Sequence, residues 1–428
     1  MVHGNRIIHS WVMLATIAVV QPLAMGQLDF EREPINYSDT DPTDRVFQLG
    51  QRLVKGEVTL RWDSAHNYLR SLLSELDIPV SSQTLVFSKT SLQVSRISPK
   101  TPRAIYFNDD AYVGWVQHGD LVEISAADPD LGGTFYTLSQ RRTDKPLLKR
   151  QTSRCLQCHG STHTRRIPGH LLRSVYPAST GQPVFRLGTH MNDHTTPFHE
   201  RWGGWYVTGT HGDQRHMGNV VLDDPDASED LDTDVGANIT DLSSLLDTSP
   251  YLSPHSDIVA LMVLQHQVRM HNVLTAANHS GRLTARDAIV MNRALERPVG
   301  FNSDSTRRRY ESAAEKVVQA LLFCDEPRLT SPVVGTSEFT QDFQNRGPFD
   351  SQGRSLRQFD LTRRLFARPC SFLIYSKSFR SLPHGVLTRV RQRLGDILCG
   401  DDTSEDFLHL SVADRRAVRE ILSETLPQ

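Results

Sequence analysis

Cys155-Leu156-Gln157-Cys158-His159 sets two thiols either side of a two-residue gap, with an imidazole directly after the second. Thiols at that spacing can each bond one vinyl group of the same porphyrin, and the imidazole that follows is then held beneath the ring, where it can ligate the iron. Chance is a poor rival: with 5 Cys and 18 His in 428 residues, a random chain supplies about 0.002 such pentapeptides. A zinc knuckle needs two more ligands at knuckle spacing, and a thioredoxin-like pair does not require the adjacent His. The motif predicts one covalently attached haem c, bound through Cys155 and Cys158, with His159 as the proximal iron ligand. It occurs once in the chain, which excludes a multihaem wire.

The second axial position has several claimants. Met217 follows the motif by several tens of residues, and Gly212 and Gly218 would let its loop approach a ring closely. Met217 is the expected distal ligand, with His216 or His211 as alternatives that would give bis-histidine ligation and a lower potential. Met262, His266 and Met270 share one helical face, a pattern more often core than ligand. Between 141 and 176 stand Arg141, Arg142, Lys145, Lys149, Arg150, Arg154, Arg165, Arg166 and Arg173 against one acid, Asp144, a formal +8. These bases can pair with haem propionates, form a docking patch for an acidic redox partner, or simply be solvated. Trp202 and Trp205, set among glycines, can wall a haem or fill a buried strand.

The elements that must position these groups are legible in outline. Residues 43–76 read as helical with a break at Gly56. From Gln83 the period turns toward two, and strands are expected at 84–87, 91–94, 104–107, 112–116, 121–124 and 134–138, with turn residues between them. A further strand pair is expected at 202–208 and 217–222. Seven acids and no base in 223–234 read as a solvated linker. From about Leu242 the chain reads as helical: Ser253-Pro254 as the start of a helix reaching about Asn278, Thr284-x-x-Asp287 and Ser411-x-x-Asp414 as capping-box starts, and Val386–Leu398 as an amphipathic run. The expected fold class is α+β, a haem-bearing domain with an antiparallel sheet (27–222), an acidic linker (223–240) and an all-helical domain (241–428).

Arg6, the apolar stretch Trp11–Val20 and the small-residue pattern Ala24-Met25-Gly26 have the layout of a secretory signal peptide over 1–26, cut before Gln27. The apolar core is too short to span a bilayer, which takes about 20 residues. Haem attachment by the bacterial route follows export, so a periplasmic or otherwise exported location is expected, with no transmembrane segment in the mature chain. A formal charge of −2 and 38% hydrophobic residues describe an ordinary soluble chain, with nothing that points to nucleic acid. Cys324, Cys370 and Cys399 allow at most one disulfide.

The runs Tyr106–Asp110, Tyr112–Val116, Cys155–His159, Asp193–Pro197, Arg201–Gly209 and His216–Asn219, with Arg363–Phe366 and Ser371–Ser376, resemble a group of exported bacterial monohaem c-type proteins of planctomycete type. The resemblance implies haem c and export, and brings no substrate. The sheet is also loosely similar to PAS-like sensor domains that carry a c haem. Three functions follow as expectations: one-electron transfer to an unidentified redox partner protein, haem-based sensing or small-ligand binding that signals through the helical domain, or peroxidase-like catalysis at an open iron.

Overall fold

Along Leu121–Asp128 half-buried and buried side chains alternate without a break, as in a strand whose two faces meet different surroundings. In the computed structural model, which describes residues 28–222, 231–402 and 404–426, this strand is β4 of a seven-stranded sheet. The others are β1 (Thr84–Val86), β2 (Arg103–Phe107), β3 (Ala111–Val116), β5 (Gly132–Ser139) and β6 (Leu148–Arg150), with β9 (Trp205–Tyr206) entering after a separate antiparallel pair, β7 (Arg173–Val175) and β8 (Thr189–Met191). The spatial order is β6-β5-β4-β3-β2-β1-β9, antiparallel throughout.

The register sorts side chains cleanly. Leu85, Tyr106, Val113, Trp115, Ile124 and Tyr136 share one face, buried against α1 (Arg45–Val54) and α2 (Leu69–Glu75), which contributes Leu69, Leu72 and Leu73. Burial of each such side chain is worth roughly 1.5–3 kcal/mol. Asp44 joins the layers. One carboxylate oxygen caps α1 at Val46 N and Phe47 N, and the other accepts from the Thr134 and Tyr136 hydroxyls. The opposite face carries Val86, Phe107, Tyr112 and Trp205, in one hydrophobic cluster with α4 (Ile258–Ala294). The half-buried residues of β4 look out on this side, toward the short helix α3 (Leu156–His159). Beyond α4 come α5 (Asp304–Leu321), a β10–β11 pair (Gly209–Thr210 with Val334–Gly335), and helices α6 (Phe339–Gln344), α7 (Lys377–Arg380), α8 (His384–Cys399) and α9 (Val412–Thr425).

The molecule is thus a mixed α+β fold with an antiparallel sheet. One hydrophobic cluster holds residues from both sides of 223–240: Trp202, Trp205 and Val207 belong to it together with residues of α4, α5, α8 and α9. Several expected elements are corrected. Residues 91–94 form turns, because the Gln93 side chain brackets the next hairpin, donating to Leu121 O and accepting from Asp120 N and Leu121 N. No ladder joins 202–208 to 217–222. The long helix begins at Ile258 rather than at Ser253-Pro254: Gln83 Nε2 draws the carbonyls of Ser253 and His255 to itself, and Asp257 caps α4 instead. Turns in which Asp241 and Asp247 accept from Ser243 N and Ser249 N occupy the stretch expected to be helical from Leu242. Thr284 starts nothing, because its hydroxyl bonds back to Ser280 O inside the 37-residue α4. Ser411 and Asp414 do form the expected capping box.

The segment 1–26 lies outside the described residues, as does most of the acidic run. Among the described residues no helix is long and apolar enough to cross a membrane, and all five cysteines are unbridged.

Candidate functional site

The turn after Cys155 is helical, with Cys158 N and His159 N both donating to Cys155 O, at 3.2 and 2.9 Å. That winding puts residues three and four apart on one side, so the two thiols and the imidazole line the same cavity of about 260 Å³. The cavity's other wall is the sheet face bearing Ile105, Gly114, Glu123 and Thr137, closed by Leu172, Trp205 and, from α4, Leu264 and Val268.

His159 is fixed at both ends of its residue. Its Nδ1 lies 2.8 Å from Gly169 O, and Gly169 N donates to His159 O at 2.9 Å. A carbonyl only accepts, so Nδ1 carries the hydrogen and the lone pair sits on Nε2, the nitrogen left for a metal. Burial holds the imidazole below its ordinary pKa, which keeps it neutral. The Gly169 carbonyl is held in turn by α4. Asn272 Oδ1 accepts from His170 N and Asn272 Nδ2 donates to His170 O, each at 2.8 Å. Glycine at 169 lets the Asn272 amide come this close, since a Cβ there would lie 2.5 Å from Asn272 Oδ1 and displace it.

Burial, with a smaller contribution from Glu123, pushes the Cys155 thiol up to about 11. A redox-active C-x-x-C pair needs the opposite shift. Among the described residues no group of three or more His, Cys, Asp or Glu is placed to hold a metal ion, so the further ligands of a zinc knuckle are missing there. The donor set therefore fits a c-type haem. Two thiols two residues apart border the cavity, one imidazole is oriented by a carbonyl, Leu172, Leu264 and Val268 supply apolar wall, and Arg154 and Arg173 stand at the cavity as partners for carboxylates.

Sequence reasoning missed the polar group on the sheet face. Arg103 Nη1 lies 2.9 Å from Glu123 Oε2, with both side chains 18% exposed, and Gln93 Nε2 donates to Glu123 Oε1 at 3.2 Å. Arg103 reaches across β3 at Gly114, where an added Cβ would lie in ordinary contact with Arg103 Cδ, at 3.4 Å. His170 also borders the cavity. It is buried, its two ring nitrogens have no hydrogen-bond partner, and it packs near the Phe135 ring, which also lies at a tilt against His159. Nothing local in the sequence marks Arg103, Glu123 or Asn272; only the sheet register and α4 bring them here.

The structure does not bring Met217, His216 or His211 to this cavity. Arg173 lines it, and by strand alternation Ser174 points the other way; the Met217 sulfur packs there, 3.6 Å from Ser174 Oγ. His211 has both ring nitrogens engaged, Nδ1 with Gln214 O and Nε2 accepting from Asn238 N. His216 packs edge-on to Trp202 and at a tilt to Phe198 and His211, and its Nδ1 accepts from Gly218 N. Trp205 walls the cavity and Trp202 is core. His266, flanked by His194 and Ser371, is core as well. Of the basic run, Arg150 instead holds the carbonyls of Tyr37 and Thr40. No family model, curated protein or solved structure matches this chain.

Proposed function

We propose that the chain is an exported monohaem c-type cytochrome that carries single electrons, with thioether bonds at Cys155 and Cys158 and the iron on His159 Nε2. The observation that carries this reading is the 2.8 Å contact between His159 Nδ1 and Gly169 O, which fixes tautomer and ring orientation in the residue next to two co-facial thiols. A haem held by these residues would supply a one-electron couple. The protein's own residues orient the imidazole, exclude water through Trp205, Leu264 and Val268, and offer Arg154 and Arg173 to the propionates. The partner is a redox protein met at the basic surface around the motif, and the N-terminal segment 1–26 is the export signal.

A second reading is favoured by one specific observation. No methionine borders the cavity, while the Arg103–Glu123 pair does. A haem there would meet polar groups suited to a small iron-bound ligand, which is the sensor or peroxidase-like alternative. Visible spectra of the purified protein, oxidised, reduced and reduced under carbon monoxide, decide between the two. A low-spin spectrum indifferent to carbon monoxide supports electron transfer, and a high-spin spectrum that shifts with it supports ligand binding. Protein that shows no haem stain after denaturing electrophoresis would sink both.

A further inference from the structure

A larger cavity, about 850 Å³, opens between α4, α5 and the loop that follows α3. It shares His170, Leu171, Leu172 and Val268 with the cavity of Cys155 and Cys158, so the two spaces meet at one thin wall. Its volume lies within the range of about 300–1,000 Å³ typical of small-molecule sites.

The lining is amphipathic in an ordered way. Small apolar side chains, Val273, Ala276 and Ala277 from α4 and Ala313 from α5, make the floor. Cations make the rim. Arg269 and Arg309 are neutralised by Asp193 and Asp287, at 2.8 and 2.9 Å. Arg165, Arg308 and Lys316 stand at the cavity with no carboxylate partner among the described residues. Asp193 is the one acid in the lining. Two wall residues also hold hydrogen-bonding capacity that the protein leaves unused. Asn192 is 3% exposed and His170 5%, and the two side-chain polar atoms of each lack a partner. Unpaired buried amides and imidazoles are costly, so their place in a cavity wall calls for a partner inside it.

We propose that this cavity binds an organic anion with an apolar body, of the carboxylate class, whose head meets Arg308, Lys316 and Arg165 and whose body lies on the alanine floor. Three uncompensated cations select the charge, and the floor excludes small inorganic anions as sufficient occupants, since they would leave it facing water. The site does not depend on the haem reading. Propionates of a haem held at Cys155 and Cys158 share the carboxylate chemistry, and the test separates the two sources.

Calorimetric titration of the mature protein, as isolated with any bound prosthetic group, with decanoate and separately with decanol is the experiment. The expected result is one saturable site for decanoate and at least tenfold weaker binding of decanol. Arg308→Glu with Lys316→Glu should weaken decanoate at least tenfold with an unchanged melting temperature, because both side chains are exposed. Ala276→Phe, which fills the floor, should abolish binding. No saturable binding, equal affinity for acid and alcohol, or indifference to the charge reversal would overturn the proposal. Binding by haem-free protein but not by the haem-loaded form would assign the cations to propionates and overturn it too.

Discussion

Asn272→Leu isolates the link between α4 and the imidazole of His159. The substitution keeps the side chain's size and removes both of its hydrogen bonds to the His170 backbone, each 2.8 Å long. A net bond is worth about 1 kcal/mol, and a backbone N–H or C=O left in a partly buried place without its partner adds about 1 kcal/mol or more. The expected loss is therefore roughly 2–4 kcal/mol, read from urea unfolding followed by circular dichroism. Asn272→Asp retains the acceptor for His170 N and loses the donor to His170 O, so it should lose about half as much. A second readout is specific to function. Gly169 O precedes this clamp directly, and its bond to His159 Nδ1 raises the basicity of Nε2. Loosening it should weaken the imidazole as an iron ligand, disfavour the ferric state and raise the reduction potential of the haem-loaded protein. Asn272→Leu with unfolding within ~0.5 kcal/mol of wild type and an unmoved potential would refute the account of how α4 positions the site.

Cys155→Ala with Cys158→Ala should abolish the haem that survives denaturing electrophoresis; stained protein from the double variant would end the covalent assignment. Met217→Ala should leave the visible spectrum unchanged, because its sulfur packs on Ser174, and should lower stability by about 2–4 kcal/mol through the lost buried volume. An altered spectrum would return Met217 to the iron. Glu326, pushed up to about 7 by burial, offers a pH test. Its folded-state pKa lies above the ordinary 4.5, so its contribution is fully present below pH 4.5 and is lost as pH rises through 7, at most roughly 3 kcal/mol. Glu326→Gln should flatten the fall in stability over that window, and an identical pH profile would count against it. Amino-terminal sequencing of exported protein should begin at Gln27, and an intact Met1 on a membrane-bound product would show an anchor.

What could be read from the sequence is what a short stretch of chain decides for itself. The C-x-x-C-H turn needs only local winding to gather its groups; β4 announces itself by alternating between two unlike surroundings, while β3 and β5, buried on both faces, read as runs rich in β-branched and aromatic residues between turn residues. The misreadings share one cause, a side chain or backbone partner that arrives from far away. Leu92 and Val94 alternate like a strand yet remain 38% and 46% exposed, because Gln93 is committed to the hairpin at Asp120 and Leu121. Thr284 has a cap's composition, but a helix already packed on the sheet carries it through.

The same cause explains why the groups around the thiols could not be chosen by spacing. A loop length ranks Met217 above other candidates only if the loop folds back over the ring, and here the intervening strand β7 turns Ser174, and Met217 with it, to the far side from Arg173. Glu123 and Arg103 reach the cavity through a register in which Gly114 leaves the crossing clear, a relation between three strands that no single segment expresses. His170 and Asn272 lie 102 residues apart and meet because Gly169 lets α4 come within a hydrogen bond of the motif loop. The long helix is therefore part of the site, placing the carbonyl that orients His159 while its other residues floor the neighbouring cavity. Val268 and His170 border both spaces, so the residue whose backbone Asn272 clamps also walls the neighbouring cavity, and the clamp that Asn272→Leu is designed to break belongs to both.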